Sequence, residues 1–291
     1  MGLFSGLEKM GLGNLEEMEV FDEEKKKEVE EEDVMSAEVK KPTASEEDFL
    51  FTKAHPCPVC EQEFQTKMVR TSKLKLISSD TDLRPRYTID SLKYDAWLCP
   101  NCGYASLSRF FKFMLPAQAK DIKEKISATF KGIDTDGATY SYDDAIMRHQ
   151  MSLANAVVKK AKTSEKAYTC LKMAWLFRGK QEELLAEDEK KNAEEVRALK
   201  KQEMELLKKA CEGFKAAFSA EEFPMCGMDE ITVMYLIAEL CRRTGLLEES
   251  GRWISRVLTT RGVSERIKNR TRDIKELLEE DKKRIENAKK Q

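Results

Sequence analysis

Four cysteines stand in two equal spacings, Cys57-Pro58-Val59-Cys60 and Cys99-Pro100-Asn101-Cys102. Two thiolates separated by two residues sit on one tight knuckle whose backbone amides point at the sulfurs. Two such knuckles brought together make a tetrahedral S4 cage. Pro58, Pro100 and Gly103 fall where the knuckles must turn sharply, and the 38 residues between Cys60 and Cys99 imply an insertion of strands between them. A structural zinc site is the first expectation, because zinc is redox-inert and favours four thiolates. Iron in a rubredoxin-like site uses the same ligands and stays open as the alternative metal. Thiol-disulfide exchange needs one C-x-x-C at a helix N-terminus in a βαβ setting, and neither pair has it.

Other reactive groups are sparse. His55 lies two residues before Cys57 and reads as a loop residue with four thiols already at hand. His149 falls on an apolar helical face and reads as a core histidine. Neither has a Ser, Cys or carboxylate arranged for nucleophilic catalysis, so the expectation is a chain that is not an enzyme. Asp80 and Asp82 in "DTD" would share one side of an extended strand, or else cap their own turn. Cys170, Cys211, Cys226 and Cys241 read as small hydrophobes in or near helices, with Cys226 the most exposed.

The elements that must hold the knuckles differ along the chain. Residues 1–50 read as an acidic leader without structure; "LEEMEVFDEEKKKEVEEED" sets eleven acids against three lysines, too polar to offset chain entropy. Within it Leu3, Phe4, Leu7, Met10 and Leu12 could form an amphipathic turn that docks on a partner or on the protein's own groove. "MGLFSG" places Gly6 where a myristoylation signal wants Ser or Thr. Residues 51–115 alternate like short strands and read as a small antiparallel zinc-ribbon-like module. From Pro116 the pattern is helical.

Helix starts are expected at Ser141 with Asp144, at Ser164, at Asp229 and at Ser264. Residues 116–262 read as tetratricopeptide-like helical pairs and 263–291 as a capping helix with a seam of Ile267, Thr271, Ile274, Leu278 and Ile285. The helix after Asp229 is apolar on two faces: Ile231, Met234, Tyr235, Ala238 and Cys241 on one, Val233, Leu236, Ile237 and Leu240 on the other. Glu187 and Lys191 point to an extended solvated helix between "YTCLKMAWLFRGK" and "KKACEGFKAAF". The fold class is therefore α+β.

Formal net charge is −2 with 36% charged residues, which gives no global pull toward polyanions or membranes. No apolar run approaches the roughly 18 residues of a membrane span, and the expectation is a cytoplasmic protein without a membrane partner. Residues 51–112 are locally basic, ten Lys/Arg against six Asp/Glu. Lys67, Arg70, Lys73, Lys75, Arg84, Arg86 and Lys93 are interleaved with Phe64, Tyr87, Tyr94 and Trp97. That mixture fits either nucleic-acid contact or solvated strands over a small aromatic core.

"CPVC", "TKMVRTSKLKLISSDTDLRPRY", "YDAWLCPNCGYA" and "AWLFR" together resemble the bacterial domain-of-unknown-function family 2225, over residues 53–262. The resemblance implies a zinc-ribbon-like head, tetratricopeptide-like helices and a cytoplasmic bacterial protein, without an assigned activity. It also matches Arg70, Ser72, Lys73, Asp80 and Asp82 to a shared surface. The reading that results is a non-enzymatic scaffold with zinc on Cys57, Cys60, Cys99 and Cys102 and a helical surface for a protein partner. The alternatives are a nucleic-acid-binding adaptor and a rubredoxin-like redox protein.

Overall fold

The computed structural model describes residues 10–13, 45–133 and 137–288. Three antiparallel hairpins come first: β1 (Leu50–Pro56) with β2 (Glu63–Val69), β3 (Leu76–Ser79) with β4 (Pro85–Tyr87), and β5 (Ala96–Leu98) with β6 (Ala105–Leu107). Each is a separate two-stranded sheet, with Pro56 opposite Glu63, Ser79 opposite Pro85 and Leu98 opposite Ala105 at the turn ends. Two-stranded ribbons are marginal alone in water. What holds these is packing from their turns and from the helices beneath.

Six α-helical segments follow among the described residues: α1 (Pro116–Ile122), continued by a π-helical turn at Lys123–Ser127, α2 (Tyr142–Val158), α3 (Thr163–Ala220), α4 (Glu230–Arg243), α5 (Leu247–Thr259) and α6 (Glu265–Ala288). The α+β class is the one observed. Ser141 and Asp144 form the expected reciprocal cap, Asp229 accepts from the Thr232 N–H at 2.7 Å, and Ser264 accepts from Ile267. Ser164 instead lies inside the first turn of α3. Its N–H and hydroxyl both donate to the Glu221 carboxylate, at 3.0 and 2.5 Å.

That contact shows how α3 is built. The backbone leaves helical geometry at Asp188 (φ −162°, ψ 100°), and the residues on either side pair antiparallel. Asn192 donates to the Leu184 carbonyl, Lys180 meets Glu195 at 3.1 Å, Arg178 meets Glu203 at 2.7 Å and Glu221 closes on Ser164. The segment is a helical hairpin, which corrects the expected extended helix. Asp188 interrupts it because its carboxylate accepts from the Lys191 N–H and so caps the second arm.

Neighbouring helices are likewise antiparallel. Lys180 reaches Asp143 across α2 and α3, Ser250 donates to the Ala238 carbonyl across α4 and α5, and Gly251 faces Leu278 across α5 and α6. One apolar core runs from the hairpins through α2, both arms of α3 and one face of α4, while a second lies among α4, α5 and α6. The two-faced reading of α4 is observed: Val233, Leu236, Ile237 and Leu240 enter the first core, and Met234, Tyr235 and Ala238 the second. Cys241 belongs to the first, not the second. Of the α6 seam, Thr271, Ile274 and Leu278 are buried and Ile285 is exposed.

Two stretches of the expected unstructured leader are folded. Met10 and Leu12 are buried in the first core and the Met10 carbonyl accepts from the Lys131 N–H, so the docking turn is on the protein itself. Glu46 accepts from Tyr94 and pairs with Lys93, both at 2.8 Å. Leu3, Phe4, Leu7, the "MGLFSG" start and the acidic run lie outside the described residues.

The middle hairpin is fastened by charge. Its turn, Asp80 to Arg84, enters the helical layer, and Asp82 is fully buried against Arg178 (2.7 Å) and the Trp175 indole N–H (3.0 Å). Asp80 bridges Arg86 and Arg178, Arg84 and Arg86 reach Glu182, and Thr81 donates to the fully buried Glu239, which Arg242 and Arg243 also hold. The two aspartates therefore neither lie along a strand nor cap their own turn; the Asp82 carboxylate bonds α3, and that of Asp80 joins α3 to Arg86 on β4. Burial opposes ionisation, but arginines on both sides hold Asp80, Asp82 and Glu239 below the ordinary carboxylate range.

Removing one partner of such a pair leaves an uncompensated buried charge. Asp82→Ala should lower unfolding stability by roughly 3–5 kcal/mol in urea titrations. Because the folded carboxylates titrate below their unfolded values, their contribution is complete above about pH 4 and is lost as pH falls through the depressed range. The Asp82→Ala protein should accordingly lose less stability than wild type across that acid window.

Candidate metal centre

Each C-x-x-C occupies the turn of a hairpin, Cys57 to Gln62 closing β1–β2 and Cys99 to Tyr104 closing β5–β6. The two turns share one geometry. Cys57 N–H donates to the Gln62 carbonyl and Glu61 N–H to the Cys57 carbonyl; Cys99 N–H donates to Tyr104 and Gly103 N–H to Cys99 in the same offsets. The fifth residue of each turn is left-handed, Glu61 at φ 64° and Gly103 at φ 73°.

The turns face each other. Cys57 Sγ lies 3.6 Å from Cys102 Sγ and Cys60 Sγ 3.7 Å from Cys99 Sγ, and all four sulfurs fall within 4.8 Å of one another. A tetrahedral ion with metal–sulfur bonds of about 2.3 Å requires sulfurs about 3.8 Å apart. Cys57, Cys60, Cys99 and Cys102 are thus positioned to bind a metal ion. Three of the four are buried and Cys60 is half-buried.

Proton chemistry agrees with that donor set. Hydrogen bonds from Cys102 and Cys57 let Cys99 ionise well below the ordinary thiol range, while the neighbouring sulfurs Cys57 and Cys99 push Cys102 far up. Crowding thus favours the Cys99 thiolate and opposes those of Cys57 and Cys102. A divalent cation is the charge that lets all four ionise together.

The helical layer carries the second turn. Asn155 on α2 donates to the Gly103 carbonyl at 3.0 Å and Ser127 donates to the Cys102 carbonyl at 2.8 Å. A methyl group on Gly103 would meet the Phe130 ring at 2.7 Å. Phe111 packs on Phe64, Trp97 and Tyr104, with the Tyr104 hydroxyl on its carbonyl. His55 is not a loop residue; it sits in β1, its ring tilted against that of Trp97 with centroids 4.1 Å apart, and is not among the clustered donors.

His149 is buried in α2 with Nδ1 on the Ala145 carbonyl and Nε2 without a partner. Burial lowers its pKa to about 4, against the partial pull of Asp95.

Phe64, Tyr94 and Trp97 are core residues, and Arg84 and Arg86 are spent on carboxylates. Arg70 donates to the Leu50 carbonyl and Lys73 to that of Asp48. Asp82 is buried while Ser72 is exposed, so the five matched residues do not line one surface. The half-buried Cys226 donates to the Ser164 carbonyl. Spacing concealed one pair: Cys211 and Cys241, 3.5 Å apart and buried between the second arm of α3 and α4. Arg178, Glu203 and Glu239 were also missed, although Glu239 inside the apolar run "VMYLIAELC" is the kind of lone charge that demands a buried partner.

Residues 50–278 match the family described as uncharacterized proteins conserved in bacteria, DUF2225. The chain belongs to that family. No curated protein and no solved structure matches it.

Two outcomes follow from this geometry. Gly103→Ala combines a left-handed backbone with a ring collision and should cost at least about 2 kcal/mol in chemical unfolding. For His149 the folded pKa lies below the unfolded one, so the unfolded chain binds the extra proton and stability falls between about pH 6.5 and 4. The loss is on the order of 3 kcal/mol, and His149→Gln should flatten that part of the stability–pH curve.

Proposed function

We propose that this chain is a non-enzymatic interaction scaffold in which the four thiolates hold a structural zinc ion and the antiparallel helical pairs offer the surface for a protein partner. The observation that carries the reading is the closure of the sulfur cluster. Four protein donors fill a tetrahedral ion, and a buried site with a half-buried edge leaves no position for a substrate. Zinc is favoured over iron because its role there needs no electron path, and the same donors serve both. The carboxylates Asp80, Asp82 and Glu239 are held ionised by arginines, which supports a structural duty over acid–base exchange at neutral pH. Among the described residues no helix is long and apolar enough to cross a membrane; reduced thiols at the metal site suit a cytoplasmic setting.

The stacked helical pairs resemble in layout the solenoids that bind extended protein segments, and this supports the partner assignment. Three of the four aromatic side chains that would stack on bases, Phe64, Tyr94 and Trp97, are enclosed in the core and Tyr87 is half-buried, which weighs against the nucleic-acid reading.

The purified chain should be colourless and contain one zinc per molecule by elemental analysis. Stripping the metal should lower its thermal midpoint and increase amide exchange first in the two cysteine turns. Full-length chain captured with a protein partner should show protection on α2 to α6. A red iron-loaded protein, or retention of a nucleic acid through Lys73 and Lys75 with a steep salt dependence, would replace this assignment.

A further inference from the structure

Phe113 and Leu115 are 72% and 65% exposed, more than any other large apolar side chain among the described residues. Their exposure is built in. The link from β6 to α1 is anchored by the buried Phe111, whose carbonyl accepts from Tyr104, and Phe113 N–H bonds the Phe110 carbonyl at 3.0 Å. Leu115 N–H bonds the Gln118 side chain at 3.1 Å, and that side chain donates to the Lys159 carbonyl, also at 3.1 Å. The last bond brings the α2–α3 connection beside the tip. The same segments carry exposed lysines: Lys112 on the link, Lys120 and Lys123 at α1, Lys160 and Lys162 on the connection. The nearby acids on the same stretch are Asp121 and Glu124, the latter 3.8 Å from Lys120.

We infer that this tip docks on an anionic lipid bilayer surface, with Phe113 and Leu115 entering the headgroup boundary and the five lysines facing lipid phosphates. Two side chains supply far less than the roughly 800 Å² per partner that a stable protein interface buries. A bilayer needs no matching contour; it covers any projecting apolar group and adds attraction for each cation within a screening length. The arrangement attaches the protein to a surface and spans nothing. Net charge of −2 conceals it, because the positive charge is local. This inference is independent of the scaffold reading.

The test is co-sedimentation of the full chain with vesicles of phosphatidylglycerol and phosphatidylcholine, set against vesicles of phosphatidylcholine alone. Expected is binding to the anionic vesicles in 0.1 M salt, little to the neutral ones, and release in 0.5 M salt, where screening shortens. Phe113→Ser with Leu115→Ser should weaken binding at least about tenfold. Lys112→Glu with Lys160→Glu should weaken it by a similar factor. Unchanged circular dichroism and thermal midpoint in both variants exclude misfolding. Absence of wild-type binding, equal binding to both vesicle types, or variants that bind like wild type would overturn the inference; the first would return the tip to the class of protein contacts.

Discussion

Four sulfurs within 4.8 Å of one another constrain everything in front of the helices. Like groups that acquire charge together repel unless a cation sits among them, so the facing turns of the two outer hairpins are positioned to share one ion. Neither hairpin has enough strand to persist alone. Once the turns are joined, Phe64, Trp97, Tyr104 and Phe111 can pack behind them. The second turn is also held from below by Asn155 and Ser127, which ties the metal centre to the helical layer.

The middle hairpin solves the same problem with charge. Its turn carries Asp80 and Asp82 to Arg178, and its second strand carries Arg86 to Glu182. Leu83, at φ 71°, packs against both apolar cores from this turn. Burying ions is expensive and such pairs add little net stability compared with apolar packing, but a broken pair is severely unfavourable. The cost of mispairing therefore selects one seating of the head on the helices. The sulfur cluster positions the outer hairpins to share a metal ion, and an ion network joins the middle one to α3 and α4.

Much of this was legible in the residues. Cys57, Cys60, Cys99 and Cys102 declare themselves by equal spacing, and Ser141, Asp229 and Ser264 mark helix starts through local hydrogen bonds that depend on few neighbours. The reversal at Asp188 was not legible, because "AEDEKKNAEE" has strong helical propensity throughout and the break is decided by long-range pairs such as Arg178 with Glu203. Met10 and Leu12 were legible as part of a docking turn but not in their target, and they bury in the protein's own core. The meeting of Cys211 with Cys241 depends on how α3 folds back beside α4, which no spacing within one helix encodes.

The two kinds of cation then divide the protein between them. Arg84, Arg86, Arg178, Arg242 and Arg243 all turn toward carboxylates, where a planar fork meets two oxygens and loses little hydration. The buried lysines Lys93, Lys159 and Lys172 each meet one carboxylate, of Glu46, Glu165 and Asp95. A count of basic residues in the strand region consequently mixes charges already neutralised with charges still available. In the strand region Arg84 and Arg86 are neutralised by carboxylates, whereas Lys73, Lys75 and the lysines around the β6–α1 link lie exposed at the surface. Placement, and not composition, decides which of this protein's cations remain to meet a partner.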